Sequence, residues 1–137
     1  MITVAIVAIL AMIAVPSYTQ YVRRANRTDA TKTMALDAQA LERCYSQTFS
    51  YAGCPGVQLA SPQGKYTITV QIPDPNVAVT VPPTPSYFIS AAPSPGSTQL
   101  ADTACGGFTL NTAGAQAATD HTGATSAQIT QTCWGSN

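Results

Sequence analysis

The sequence predicts an α+β fold in which one long N-terminal helix packs against an antiparallel sheet of about four strands. Three observations predict it. Met1–Val15 (MITVAIVAILAMIAV) carries no charge and a single hydroxyl. Apolar residues then recur at spacings of three and four from Ser17 to Tyr45, with no glycine among them. Beyond Gly53 the periodicity turns to two, in short segments punctuated by Gly and Pro. A helix followed by a run of strands is the order of an α+β domain.

A run as uniformly apolar as Met1–Val15 needs apolar surroundings on every side, either lipid or the centre of an assembly. At ~1.5 Å per residue it covers about 22 Å, short of the ~30 Å hydrocarbon core. It lacks the basic start and A-x-A site of a secretory signal. Arg23, Arg24 and Arg27 follow it, and taken alone they would hold the domain in the cytoplasm. The cysteines oppose that placement. Cys44, Cys54, Cys105 and Cys133 in a small domain behind an apolar segment point to two disulfides and an oxidising compartment. Residues ahead of Met1 that complete the span and carry the orienting charge would reconcile the two.

Tyr18, Tyr21, Val22, Ala25, Met34, Ala38, Leu41 and Tyr45 form the apolar stripe of the amphipathic half, expected to pack on the domain. Arg23, Arg24, Arg27, Asp29, Lys32, Asp37, Glu42 and Arg43 mostly fall elsewhere on the wheel. An unbroken helix over residues 1–45 would measure on the order of 65–70 Å. Pro16 cannot donate to the carbonyl of Met12, so a kink or local melting is expected there.

Gly53, Pro55 and Gly56 end the helical region. Tyr66, Ile68, Val70 and Ile72 then alternate with Thr67, Thr69 and Gln71, the pattern of a half-buried strand. Val77–Val81 and Tyr87–Ala91 are further strand candidates, separated by Pro82-Pro83-Thr84-Pro85. Phe108–Asn111 and Ile129–Trp134 read as the last two strands, with a Gly/Ala/Thr-rich loop between them.

Six basic and six acidic residues cancel, and charged residues make up only 9% of the chain, which argues against a protein built chiefly to neutralise phosphate. No nucleophile elbow, zinc-binding helix motif or phosphate loop is present, so no enzyme activity and no cofactor are expected. No CxxC pair and only one histidine leave no metal centre. His121 lies in a polar Asp-His-Thr-Gly turn. Asp74, Asp102 and Asp120 lack the spacing of calcium ligands. Asn26-Arg27-Thr28 matches the glycosylation triplet by coincidence on a helix. Pro82–Thr98 has the Ser/Thr/Pro mixture of O-glycosylated segments, with a solvated loop as the plainer reading.

The segment MITVAIVAILAMIAVPSYTQYVRRAN closely resembles the N-terminus of mature type IV pilins. There an apolar stretch meets a proline, then an x-Tyr-x-x-Tyr-like segment, then one or two basic residues. Cys105, Phe108–Leu110, Gly114 and Cys133-Trp134 resemble the C-terminal pattern of the PilE-like branch, in which a terminal cysteine pair closes the D-region. Lys65–Ile72 fits the first strand of the pilin sheet. In that family the chain starts with Phe six positions before Met1 and carries an acidic residue two positions before it. The role of that acid transfers to no residue here.

The resemblance implies a type IV pilin fold, with residues 1–16 as the apolar assembly and membrane segment and 17–137 as the globular domain. It implies a structural subunit of a homo-oligomeric helical filament, held in the inner membrane with its domain in the periplasm and then placed by the pilus assembly machinery in a cell-surface pilus. Adhesion, twitching motility and DNA uptake are the roles of such filaments. A bundle of these helices would be built by Met1, Ile2, Val4, Ala5, Ala8, Ile9, Ala11, Met12, Val15 and Pro16. Moving the segment from lipid into a bundle exchanges one apolar environment for another, so close packing of Ala5, Ala8, Ala11 and Ala14 must decide the step. Four cysteines allow three pairings. Cys44–Cys54 with Cys105–Cys133 is favoured because each bridge closes a local segment. Two other readings are a minor pilin acting as a DNA or surface receptor, and a pseudopilin of type II secretion. DNA is a possible partner that the charge does not support, since Arg23, Arg24, Arg27 and Lys32 sit near the stalk.

Overall fold

The computed structural model describes residues 1–73 and 85–135. It opens with helix α1, Ile2–Thr48, a single 47-residue element. Four strands follow, β1 (Tyr66–Gln71), β2 (Phe88–Pro93), β3 (Gly107–Asn111) and β4 (Gln116–Thr119), with a 3₁₀ turn at Thr98–Ala101 and a short helix α2 at Ala127–Trp134. The strands form one antiparallel meander in the order β1-β2-β3-β4. This is the α+β architecture expected, one long helix laid on a four-stranded sheet.

The domain-facing stripe of α1 is Asn26, Ala30, Thr33, Met34, Asp37 and Leu41, positions three and four apart. Ala30, Met34 and Leu41 meet the inward residues of the sheet, Tyr66 and Ile68 from β1, Ile89 and Ala91 from β2, Phe108 and Leu110 from β3, and Ala118 from β4. Tyr66 and Phe108 meet edge to face at 5.6 Å, and Phe108 meets Trp134 in the same way at 5.8 Å. Alternation on β1 is as read from the sequence: Tyr66 and Ile68 buried, Thr67, Thr69 and Gln71 exposed.

Four expectations are corrected. Ile129–Trp134 is not a strand but most of α2. Ser126 caps that helix by accepting from the Ile129 N–H at 3.1 Å, and Gly135 ends it in the left-handed region at φ 70°. Its inward residues Ile129, Thr130, Cys133 and Trp134 follow helical, not strand, spacing. The fourth strand is instead Gln116–Thr119, inside the Gly/Ala/Thr-rich stretch. Tyr18 and Tyr21 leave the expected stripe for solvent, 68% and 71% exposed. Asp37 joins the buried face from which the charged residues were mostly excluded. Finally, of the kink or local melting expected at Pro16 the melting is absent, since α1 runs through that residue as one helix. Proline forfeits one backbone bond, and the Thr19 hydroxyl donates to the Pro16 carbonyl at 2.9 Å. The expected strand Val77–Val81 lies outside the described residues.

Both disulfides are local in sequence. Cys44–Cys54 joins the end of α1 to the loop after it, and Cys105–Cys133 ties the approach to β3 to α2. Separations of 10 and 28 residues give loop-closure contributions of about 3 and about 4 kcal/mol. Cys105 and Cys133 are also buried, so Cys133→Ser adds a buried polar atom to the loss. In denaturant titrations Cys133→Ser is expected to lose more stability than Cys54→Ser. Equal losses would show that the constrained loop is not what the longer bridge contributes.

Candidate functional site

The base of the domain, where α1 leaves the core, holds a dense polar network among the described residues. Arg27 donates from Nε and Nη2 to the two carboxylate oxygens of Asp102, each at 2.6 Å. Only 2% of the Asp102 side chain and 13% of that of Arg27 remain exposed. Beside the pair, the Asn26 amide donates to Gln99 Oε1 at 3.0 Å, and Gln99 Nε2 donates to the Tyr66 hydroxyl at 2.9 Å. The same Gln99 nitrogen lies 3.4 Å from Asp102 Oδ2 and 3.5 Å from the Arg23 carbonyl. Burial raises the Tyr66 hydroxyl above the usual tyrosine range, against the bond from Gln99. A fork-shaped guanidinium and a doubly bonded amide thus fasten the 3₁₀ turn to one turn of α1.

Asn26 is therefore a buried network member, and the glycosylation triplet is not displayed. The three aspartates do not converge: Asp102 is paired to Arg27, Asp74 lies outside the described residues, and Asp120 accepts from Thr122 and Ala124 of its own turn. The bond from the Thr122 hydroxyl, then those from the backbone, hold the Asp120 carboxyl below its usual range. Among the described residues no three His, Cys, Asp or Glu side chains group as for a metal ion. His121 is exposed, its Nδ1 3.0 Å from the Thr103 carbonyl.

Higher on α1, Asp37 Oδ1 accepts from the Gln58 N–H at 2.8 Å, while Oδ2 is buried with no protein partner. Burial pushes the carboxyl up, and the Gln58 bond opposes this. A raised folded value means the native state holds the proton where the unfolded chain has released it. Asp37 therefore favours folding most below the ordinary carboxylate range and loses that contribution as pH rises through its folded value. The stability of the native chain relative to Asp37→Asn is expected to fall as pH rises above the ordinary carboxylate range, about 4, read from denaturant midpoints. A constant difference as pH rises would refute it. Farther on, Tyr51 donates to Glu42 at 3.1 Å, stacks on Tyr45 and meets Tyr87 edge to face. Burial, then Glu42, pushes the Tyr51 hydroxyl up to about 12.

The assembly residues of the sequence reading, Met1 to Pro16, are all exposed along the free first part of α1. This helix is long and apolar enough to cross a membrane. Among the described residues, Arg27–Asp102 is the one ion pair, which leaves Arg23, Arg24, Lys32, Arg43 and Lys65 outside any. A cleft of about 620 Å³ opens between α1 and α2, lined by Arg24, Arg27, Thr28 and Thr31 on one wall and Gln131 to Gly135 on the other. The second wall is the carbonyl end of α2, which favours cations, so the cleft is poorly suited to an anion. A smaller groove of about 340 Å³ lies below it, between Tyr18, Thr19, Val22 and Arg23 of α1 and Thr98, Gln99 and Ala101.

A long helix, half free and half packed on an antiparallel meander, with the approach to the third strand stapled to the C-terminal helix by a disulfide, is the architecture of a type IV pilin. The chain belongs to the family described as type IV minor pilin ComP, DNA uptake sequence receptor, whose sequence profile matches residues 16–109. That match begins at Pro16, so it is independent of the apolar segment that first suggests a pilin. No individual curated protein matches the chain. As a type IV pilin, the protein belongs to a surface pilus, and its apolar helix suits a membrane anchor before assembly.

Proposed function

We propose that this pilin is a minor subunit that displays a DNA-binding domain on the pilus. The family match over residues 16–109 carries the proposal, since members of that family are described as DNA uptake sequence receptors. Residues 1–16 then serve as the assembly segment, anchored in the inner membrane and later packed among the helices of other pilins. In this reading Met1, Ile2, Val4, Ala5, Ala8, Ile9, Ala11, Met12 and Val15 face neighbouring helices, and Pro16 marks where the domain begins. Zero net charge is compatible with a DNA receptor once burial is considered. Asp102 is spent on Arg27 and Asp37 is interior, which leaves Arg23, Arg24, Lys32, Arg43 and Lys65 against Asp29, Glu42 and Asp120 among the described surface residues.

With so few free cations, recognition must rest mostly on base edges and shape. Binding of the purified chain to duplexes of varied sequence, followed across salt concentrations, tests this. Sequence-dependent binding is expected, with a log–log salt slope no steeper than about −4.5, from ~0.9 per neutralised phosphate. Lys32→Gln should flatten the slope by about one unit if that residue meets a phosphate. Equal affinity for all duplexes, or no binding at low salt, overturns the proposal and favours a purely structural subunit.

A further inference from the structure

We infer that the base of the domain is a seat for anionic phospholipid headgroups, formed by Tyr18, Tyr21, Arg23 and Leu100. The inference rests on the reading of α1 as a membrane anchor. Below Val22 every described residue of α1 is exposed, first the uncharged run to Val15 and then Tyr18 and Tyr21. Tyrosines at the end of an apolar span sit at headgroup level, where the ring is half apolar and the hydroxyl is wet. One turn on comes Arg23, outside any ion pair among the described residues.

The underside of the domain faces the same level. Gln99 bonds Asn26 and reaches the Arg23 carbonyl, which holds the 3₁₀ turn against the lowest buried turn of α1. Leu100, in that turn, points away from the core and is 58% exposed. Between the turn and α1 lies the groove of about 340 Å³, with Tyr18, Val22 and Ala101 as apolar walls, Thr19 and Thr98 as hydroxyls and Arg23 at the rim. Apolar walls with one guanidinium and two hydroxyls match an amphiphile bearing a phosphate. They do not match a bare ion, which would need a polar lining. Arg23 also stands next to the stalk, where a membrane anchor puts it within one Debye length of lipid phosphates. Seated in this way, the domain would be held against the bilayer before extraction, and leaving the membrane would require release of these contacts.

The full chain in mixed micelles or nanodiscs containing equal phosphatidylglycerol and phosphatidylcholine, read by native mass spectrometry, tests the seat. Phosphatidylglycerol adducts are expected to exceed phosphatidylcholine adducts by at least fivefold. Arg23→Gln should reduce the excess by about fivefold, the equivalent of ~1 kcal/mol per basic residue at an anionic surface. A spin label at Leu100→Cys in liposomes should meet dissolved oxygen more than an aqueous nickel complex. A label at Ser46→Cys, about 42 Å up the helix from Tyr18, should do the reverse. No headgroup preference, or a Leu100 label as wet as the Ser46 label, overturns the seat. Spin–spin broadening between Leu100 labels does so too, because it would put a second copy of the chain in the groove. If the chain fails to float with liposomes at all, it is the membrane anchor that is wrong, a distinct outcome from a chain that inserts without preference.

Discussion

Gly106→Ala is expected to cost the domain ~3 kcal/mol or more, the loss of a backbone that must move rather than a side chain that can turn. A Cβ at Gly106 would stand 2.6 Å from the carbonyl carbon of Asp120 and 2.9 Å from the His121 nitrogen, closer still to the Asp120 oxygen. All three are main-chain atoms, and the Gly106 N–H already donates to the Thr119 carbonyl at 2.7 Å. Relief would require pulling β3 and β4 apart beside the Cys105–Cys133 bridge, which allows little travel. In a domain of this size the melting temperature should drop by on the order of 15 °C. Two neighbours calibrate the effect. At Gly107 a Cβ would meet the Thr119 hydroxyl and the Ala91 carbonyl at 3.2 and 3.3 Å, a crowding that small adjustments relieve. At Gly123 the space is open but φ is +84°, so alanine there costs about 1 kcal/mol of backbone strain. The expected order of loss is therefore Gly106 first, with Gly107 and Gly123 well behind. A Gly106→Ala chain melting within a few degrees of the native one would refute the close approach.

The features visible in the sequence are those whose periodicity owes little to tertiary context. Met1–Val15 and the Tyr66–Gln71 alternation each carry their own signal, and each forms the element expected. Strand β4 carries no such signal, because Ala117 and Ala118 are weak strand formers. It exists through its partners. The Ala118 N–H donates to the Thr130 hydroxyl, and the Ala117 carbonyl accepts from the Trp134 indole at 2.9 Å, so α2 covers an edge that would otherwise be open. Ser126 and Gly135 were capping residues for that helix all along, but β-branched Ile129, Thr130 and Thr132 suggest a strand to a local reading. Tyr18 and Tyr21 fit the helical stripe yet lie below the domain, and spacing alone does not say where the domain starts. Gln99 was the least accessible to sequence reasoning. It directly follows the Ser/Thr/Pro-rich stretch that reads as solvated loop, and nothing local says that its amide is buried between Asn26 and Tyr66.

That amide and its neighbours set the second large effect: Asp102→Ala is expected to destabilise the domain by ~3–5 kcal/mol. The substitution leaves Arg27, only 13% exposed, with its guanidinium facing a void where a carboxylate held it at two points. A buried cation without a partner bears its full desolvation cost. It also removes an oxygen 3.4 Å from Gln99 Nε2, in a network that spans α1, the 3₁₀ turn and β1. Replacing both ends separates the worth of the pair from the cost of orphaning one member. Arg27→Met with Asp102→Leu fills the volume with apolar atoms and is expected to recover most of the loss, since a buried pair contributes little beyond its own desolvation. Unfolding in urea, followed by circular dichroism, provides the comparison. If the double substitution proves as damaging as Asp102→Ala alone, the bidentate pair does more than satisfy its own charge. It would then be the contact that fixes how the 3₁₀ turn, and with it the underside of the domain, is set on the helix.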